Sequence, residues 1–245
     1  DRLGGPRPMI AVTGTDGKTT TTTMVASILR GGGVRAVAAG NTDVPLAAAL
    51  DLPVDAFAVE CSSFRLSWIR SFRSEAAIWL NFAPDHQNWH HSMATYEQAK
   101  ANIWLHQRPT DVALGWVGDP VVMRHLAEVS ARPIIFGLAG AQYFIHTDVD
   151  GEQWFAGPHG PFACASSLRR RFPHDLSNAL AAAAACIETG LVPPERIEAG
   201  LAAYEFPPHR IEPLGVHGGV FVLALALLWW RDHAAVVAWR RSGAA

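Results

Sequence analysis

Lysine is nearly missing from this 245-residue chain: of its 20 basic residues only Lys18 and Lys100 are lysines, the other 18 being arginines. Arginine serves wherever a generic cation is enough. A retained lysine therefore marks a position that needs a compact ammonium, or an amine able to lose its proton. Cysteine is also scarce: Cys61, Cys164 and Cys186 are odd in number, far apart and in no Cys-x-x-Cys pair, which points to a reducing compartment. No excess of positive charge exists, the formal net charge being -2, so the footprint expected for nucleic acid or anionic lipid is missing. The apolar stretch at 221–230 is about ten residues, short of the ~20 that membrane insertion requires. The start of the chain lacks a basic segment followed by an apolar one, so no signal peptide is read there and the expected location is cytoplasmic. It opens on Asp1 where a methionine would begin a gene product, which fits a fragment or a processed chain.

What is present is a globular composition, 49% hydrophobic and 17% charged, enough for one large domain or two small ones. Short apolar runs alternate with helical patterns, the signature of a parallel sheet with crossover helices. Residues 9–13 read as a strand, 19–29 as a helix ended by Gly31-Gly32-Gly33, and 35–39, 56–60 and 76–81 as further strands. Thr95 with Gln98 resembles a capping box opening a helix that carries Tyr96, Lys100, Ile103 and Trp104. Strands follow at 111–115 and 133–136, a hairpin at 142–155, and an alanine-rich helix at 176–187 closed by Gly190 and Pro193. After about residue 221 the chain turns almost wholly apolar and then Arg-rich.

Chemistry enters with Val12-Thr13-Gly14-Thr15-Asp16-Gly17-Lys18-Thr19-Thr20, which follows a predicted strand and opens a predicted helix. Glycines let a backbone approach a phosphate, and N–H groups at a helix start form an anion cradle. Lys18 supplies a point charge for the β and γ phosphates, and the Thr19 hydroxyl can ligate Mg²⁺. The Gly-x-x-x-x-Gly-Lys-Thr form is not met strictly, since its first glycine would fall at Val12.

Three later segments offer hard ligands. Glu60 ends one strand, where open α/β sheets bind ligands; Asp85-His86 follows another; Lys100 sits on a helix. Taken singly each has an ordinary alternative: a solvated carboxylate, a hydrogen-bonded loop histidine, a surface lysine. Beside a phosphate loop they gain weight, because MgATP chemistry needs hard ligands next to the phosphates. A zinc site on His86, His90 and His91 is disfavoured, with no Glu after His86 and no cysteine nearby.

Together these segments resemble the Mur ligase family, in order from about residue 9 to 212. The phosphate loop is followed by Gly40-Asn41, Glu60-Cys61-Ser62-Ser63-Phe64, Asp85-His86, Tyr96 with Ala99-Lys100, His174 with Asn178-Ala179-Leu180, and His209-Arg210. The Gly-Asn and Glu-x-Ser-Ser-Phe-x-Leu forms look most like the branch that adds D-glutamate. The resemblance implies an α/β fold, a P-loop-type, mostly parallel sheet flanked by helices with a small hairpin region. It implies ATP bound by Gly14, Thr15, Asp16, Gly17, Lys18, Thr19 and Thr20, with Asn178 on the adenine side and Arg210 on the phosphates. It implies Mg²⁺ held by Thr19 and Glu60, and a second Mg²⁺ by His86 and a carbamylated Lys100. Lys18, Lys100 and His86 would carry the catalysis, and Asn41 and Ser62 would face the substrate. The implied reaction joins UDP-N-acetylmuramoyl-L-alanine to D-glutamate through an acyl phosphate, in a monomer without nucleic-acid partners. Asp175 stands where the family often has Asn, so no nucleotide role is given to it.

The expected organisation is a linker remnant at 1–8, the central ATP-binding domain at 9–212, and an atypical tail at 213–245. The family's flanking domains do not fit into the chain, and the tail is read as the product of truncation or a frame shift. Alternatives are a nucleotide-binding module without turnover, or another amide ligase such as a folate polyglutamate or meso-diaminopimelate enzyme. A purely structural protein would require the phosphate loop to be accidental.

Overall fold

The computed structural model describes residues 6–137 and 140–206, and the backbone of two strands at 212–217 and 220–224. Strands β1 (Met9–Thr13), β2 (Ala36–Gly40), β3 (Ala56–Glu60), β4 (Ala76–Trp79), β5 (Val112–Trp116) and β6 (Arg132–Gly137) run parallel. β7 (Tyr143–Thr147), β8 (Gln153–Gly157) and β9 (Gly160–Cys164) complete one sheet in the order β2-β3-β1-β4-β5-β6-β7-β8-β9. β7 touches β6 through two parallel pairs and pairs antiparallel with β8, which in turn pairs antiparallel with β9. Of the short apolar runs, β1, β3, β4 and β5 are strands buried on both faces, as the middle of a parallel sheet demands, while β2 and β6 are only partly buried. The expected hairpin is present and extends by a third strand.

The pleat sorts side chains between two cores. Ala11, Phe57, Val59, Ala77, Trp79 and Ala113 meet short helices α2 (Leu46–Ala49) and α3 (Ser63–Leu66), the 3-10 turn at Asn102–Trp104, and α5 (Pro120–Leu126). Against the sheet also lie the long helices α1 (Lys18–Gly31) and α6 (Pro173–Glu188), with α7 (Ile197–Ala202) packed on α1. Every residue of α6 from Asn178 to Cys186 is buried. Alanine makes this possible: its single methyl lets a helix approach strands closely and costs no side-chain entropy. The end of α6 is fastened to the sheet by Glu188, which accepts a 2.7 Å hydrogen bond from the Tyr143 hydroxyl and pairs with Arg132. Burial and that carboxylate raise the Tyr143 phenol above its ordinary pKa.

Several boundaries differ from the sequence expectation. α1 begins at Lys18 and runs to Gly31, and α6 starts at Pro173, where proline suits a first helical turn. β4 stops at Trp79, leaving Leu80 and Asn81 to the loop. The helix carrying Lys100 is α4 (Met93–Ala101), and its capping box is Ser92 with Thr95, not Thr95 with Gln98. Ser92 Oγ accepts from the Thr95 N–H while Thr95 Oγ1 accepts from the Ser92 N–H, each at 3.2 Å. Threonine therefore serves as the third helical residue, and Gln98 instead donates to Asn102. α2, α3, α5 and α7 are too short to register as amphipathic periods.

The chain divides into two units after Tyr204. In the second, β10 (Glu212–His217) and β11 (Val220–Ala224) pair antiparallel. The expectations for Arg210 and for 225–245 lie outside the described residues. Among the described residues no helix is long and apolar enough to cross a membrane.

α1 and α7 cross at two glycines. A Cβ on Gly200 would lie 2.4 Å from the Ile28 Cα, and one on Gly31 would lie 2.5 Å from the Gly200 Cα. Ser27 Oγ donates to the Gly200 carbonyl at 2.8 Å and locks the crossing. Gly200→Ala is expected to cost about 1–3 kcal/mol, read as a lowered urea midpoint at unchanged m-value.

Candidate active site

The parallel order places β1 between β3 and β4, at the point where the chain's crossovers change direction, so the loops leaving these three strands converge at one sheet edge. Cys61 N–H donates to the Val12 carbonyl and Leu80 N–H to the Thr13 carbonyl, which holds the three exits side by side. Gly17 caps α1 in the left-handed region at φ 81°, and a Cβ there would lie 2.6 Å from Asn178 Oδ1. Only glycine meets both demands. Asn178, on α6, is thereby set against the phosphate loop.

Both lysines reach the same atom. Lys18 Nζ donates to the Gly14 carbonyl at 3.0 Å and to the Thr15 carbonyl at 2.8 Å. Lys100 Nζ donates to the Gly14 carbonyl at 2.5 Å from α4, 86 residues away in sequence. Lys100 is 1% exposed, and its amine lies over the Tyr96 ring at 4.6 Å from the centroid. Burial, and then the charge of Lys18, bring its pKa down to about 7, with Asp85 and Asp16 opposing. It is a buried amine, part neutral near pH 7.

Glu60 is buried as well. Oε1 accepts from Asn41 Nδ2 at 3.1 Å, whereas Oε2 is buried without a hydrogen-bond partner. A buried carboxylate oxygen left so is costly unless a cation or donor arrives. A hard divalent ion fits this atom. Among the described residues no three His, Cys, Asp or Glu gather to hold a metal. An ion here would complete its shell from phosphate oxygens and water, the habit of Mg²⁺. Thr19 stands half-buried in the first turn of α1, and Thr20 is buried beside it. Ser62 caps α3, its hydroxyl accepting the Arg65 N–H at 3.4 Å, which gives that hydroxyl a structural duty. Cys61 is inert to ionisation, its thiol pushed up to about 12 by burial and by Glu60.

His86 is half-exposed and adopts φ 51°, a left-handed conformation uncommon for a residue with a Cβ. Such strain collects at functional positions. Asp85 stabilises it, Oδ1 accepting the His86 N–H at 2.7 Å and Oδ2 lying 3.3 Å from Nε2. The His86 ring lies 4.9 Å from Phe64 and 6.1 Å from Tyr96, so it borders the aromatic wall that also carries Lys100.

Three residues not singled out as site residues in the sequence also shape this edge. His90 is buried, its Nε2 2.9 Å from Ser63 Oγ and its ring stacked on Phe64, and burial lowers its pKa. Asp119 accepts the Phe82, Val121 and Val122 N–H groups, joining the start of α5 to the segment that leads to His86. Asn81 grips the phosphate loop, its Oδ1 accepting the Thr15 and Asp16 N–H groups. The sequence shows Asn81 only as the polar residue that closes the apolar run 76–81; its contact with the phosphate loop is not legible there. Asp175, given no nucleotide role, is wholly buried in a two-point pair with Arg170 at 2.7 and 2.8 Å. Beside Glu60 opens a cavity of about 510 Å³ lined by Gly40, Leu46, Phe64, Arg65, Trp68 and Phe72 among others.

The family model described as Mur ligase middle domain matches residues 12–186. The UDP-N-acetylmuramoylalanine–D-glutamate ligase of Frankia casuarinae is 41% identical over 224 residues, covering 89% of this chain and 46% of that protein. That of Mycolicibacterium vanbaalenii is 38% identical, covering 89% and 45%. The chain thus spans slightly less than half the length of these curated relatives. Among solved structures, a UDP-N-acetylmuramoyl-L-alanyl-D-glutamate–2,6-diaminopimelate ligase superposes with a TM-score of 0.69 at 19% identity, over 87% of this chain and 49% of that one. The MurF ligase of Thermotoga maritima in complex with ADP gives 0.69 at 18%, over 89% and 53%. These two likenesses establish the fold. The family match covers the exits of all three strands that form the converging edge and most of the chain, and on that ground the chain belongs to the Mur ligase family, through its middle domain.

Proposed function

We propose that this chain is the nucleotide- and metal-binding part of an ATP-dependent amide ligase that adds D-glutamate to UDP-N-acetylmuramoyl-L-alanine in peptidoglycan precursor synthesis. The observation that carries it is the meeting of both lysines on the Gly14 carbonyl, at the same sheet edge as the buried Glu60 with its unsatisfied oxygen. The choice of D-glutamate is supported by the names of the curated relatives at 34–41% identity. The domain itself is taken to end near Tyr204, where the first unit closes.

In this reading the N–H groups at the start of α1, from Gly17 through Thr20, cradle the phosphates, and Lys18 leaves the loop carbonyls to neutralise charge on the transferring group. Asn178 borders the nucleotide beside Gly17, and Gly14, Thr15 and Asp16 form the outer rim. Thr19 and Glu60 would hold one Mg²⁺, and His86 with Lys100 a second; bound there, the ions neutralise developing phosphoryl charge. Lys100 contributes as a carbamate: its neutral amine adds to CO₂, losing a proton and turning a buried cation into an anion. Asn41 orients Glu60 and, with Ser62, borders the carboxylate substrate. The γ-phosphoryl of ATP passes to the L-alanyl carboxylate, giving an acyl phosphate and ADP. The D-glutamate amine then attacks the acyl carbon, phosphate leaves and the amine's proton is lost to solvent. Positioning and charge neutralisation do most of such work.

A second reading has its own support. In it the chain is a nucleotide-binding module without turnover of its own; the chain spans under half of its curated relatives' length. ADP release in the presence of both substrates separates the two: turnover by this chain favours the complete reaction, and binding without turnover favours the module.

Titration calorimetry with MgATP is expected to show binding that Lys18→Ala weakens about 10- to 100-fold, the value of one charge-assisted contact; equal affinity would reject the phosphate role. With ¹³C-bicarbonate, a carbamate resonance is expected that Lys100→Arg abolishes. Since the Lys100 pKa is lowered to about 7, the neutral amine is scarce below that pH. The resonance should therefore grow from pH 6 to 8, and a signal absent throughout would remove the carbamate from the scheme.

A further inference from the structure

The Asn81 amide pairs with the phosphate loop as an adjacent strand would. Its Oδ1 accepts the Thr15 and Asp16 N–H groups, each at 2.9 Å, and its Nδ2 donates to the Asp16 carbonyl at 3.2 Å. Its own carbonyl also accepts the Thr15 N–H at 3.1 Å and the Trp79 indole N–H at 3.1 Å, so the residue is fixed at both ends. Both peptide groups of Asp16 are thus engaged from outside the loop, immediately before Gly17 turns left-handed to begin α1. The Thr15 hydroxyl adds a second tether, accepting the Ala83 N–H at 2.9 Å.

Two consequences follow. A phosphate loop left to itself must be ordered by its ligand, at a cost in backbone entropy; here the protein sets Thr15 and Asp16 beforehand. The N–H groups of these two residues also point at Asn81, so an anion meets donors only from Gly17 onward, in the first turn of α1. A neutral amide suits the post for a chemical reason. It offers an acceptor and a donor on one plane and brings no negative charge beside the phosphates.

We propose that Asn81 is a positioning residue that presets the phosphate loop for nucleotide and sets where its anion cradle begins. The inference rests on the nucleotide-binding reading above. Amide hydrogen exchange of the ligand-free wild-type chain should show Thr15 and Asp16 protected, with MgADP adding protection at Gly17 and Thr19 and leaving Thr15 and Asp16 unchanged. Asn81→Leu, of similar volume, should expose both amides and weaken MgADP at least tenfold at a temperature where it is fully folded. Asn81→Asp keeps the acceptor and should retain the two protected amides. That variant decides the matter if Asn81→Leu fails to fold, since free exchange in it would reject the pairing. Fast exchange of Thr15 and Asp16 in the wild type, or wild-type affinity in Asn81→Leu, overturns the inference alone. A wild-type chain that does not bind MgADP removes the underlying reading, and the positioning of nucleotide with it.

Discussion

Two amines share one carbonyl oxygen. Gly14 accepts from Lys18 and from Lys100, and in the buried setting around Lys100 two full positive charges so close repel strongly. The arrangement is stable only if one amine gives up its proton or if anions lie close. Both remedies are visible: Lys100 is driven toward neutrality by burial and by Lys18, while Asp16 and Asp85 pull the other way. A triphosphate entering beside Lys18 and a carbamate formed on Lys100 would each add negative charge where it is lacking. In the proposed reading, the protonation of this buried lysine would depend on what occupies the phosphate loop.

That meeting depends on packing far from the polar atoms. Lys100 reaches Gly14 because α4 is clamped at its start by Ser92 and Thr95 and continues into the turn whose Trp104 donates to the Ala77 carbonyl on β4. The loop it touches is held by Leu80 and Asn81 at the end of the same strand. α1, which carries the other lysine, is pinned between the alanine face of α6 and Gly200 of α7. Small residues at these contacts let backbones come close, and close backbones leave little room for the loop to shift.

The polar edge follows a division of labour. Residues with a complete set of partners, such as Asp119, Asp175 and Asn81, hold backbone. Those with an unsatisfied or strained feature, Glu60 through Oε2 and His86 through its left-handed φ, face the place where ligands are expected. All five lie within the span that the family model matches.

The sequence by itself determined the alternation of strand and helix, the phosphate loop between β1 and α1, and the scarcity that marks Lys18 and Lys100. These are local or compositional signals: apolar runs of strand length, glycines before a lysine at a helix start, a bias against one residue type. Expectations that needed a boundary were less secure, because Ser92 with Thr95 and Thr95 with Gln98 satisfy similar spacing rules and only hydrogen-bond geometry separates them. Tertiary structure alone decided that Asn81 grips a loop 65 residues earlier, that Glu60 keeps one oxygen without a partner, and that His90 is buried against Phe64. Such contacts join strands and loops distant along the chain, and no periodicity records them; they exist because a parallel sheet gathers its strand exits at one edge.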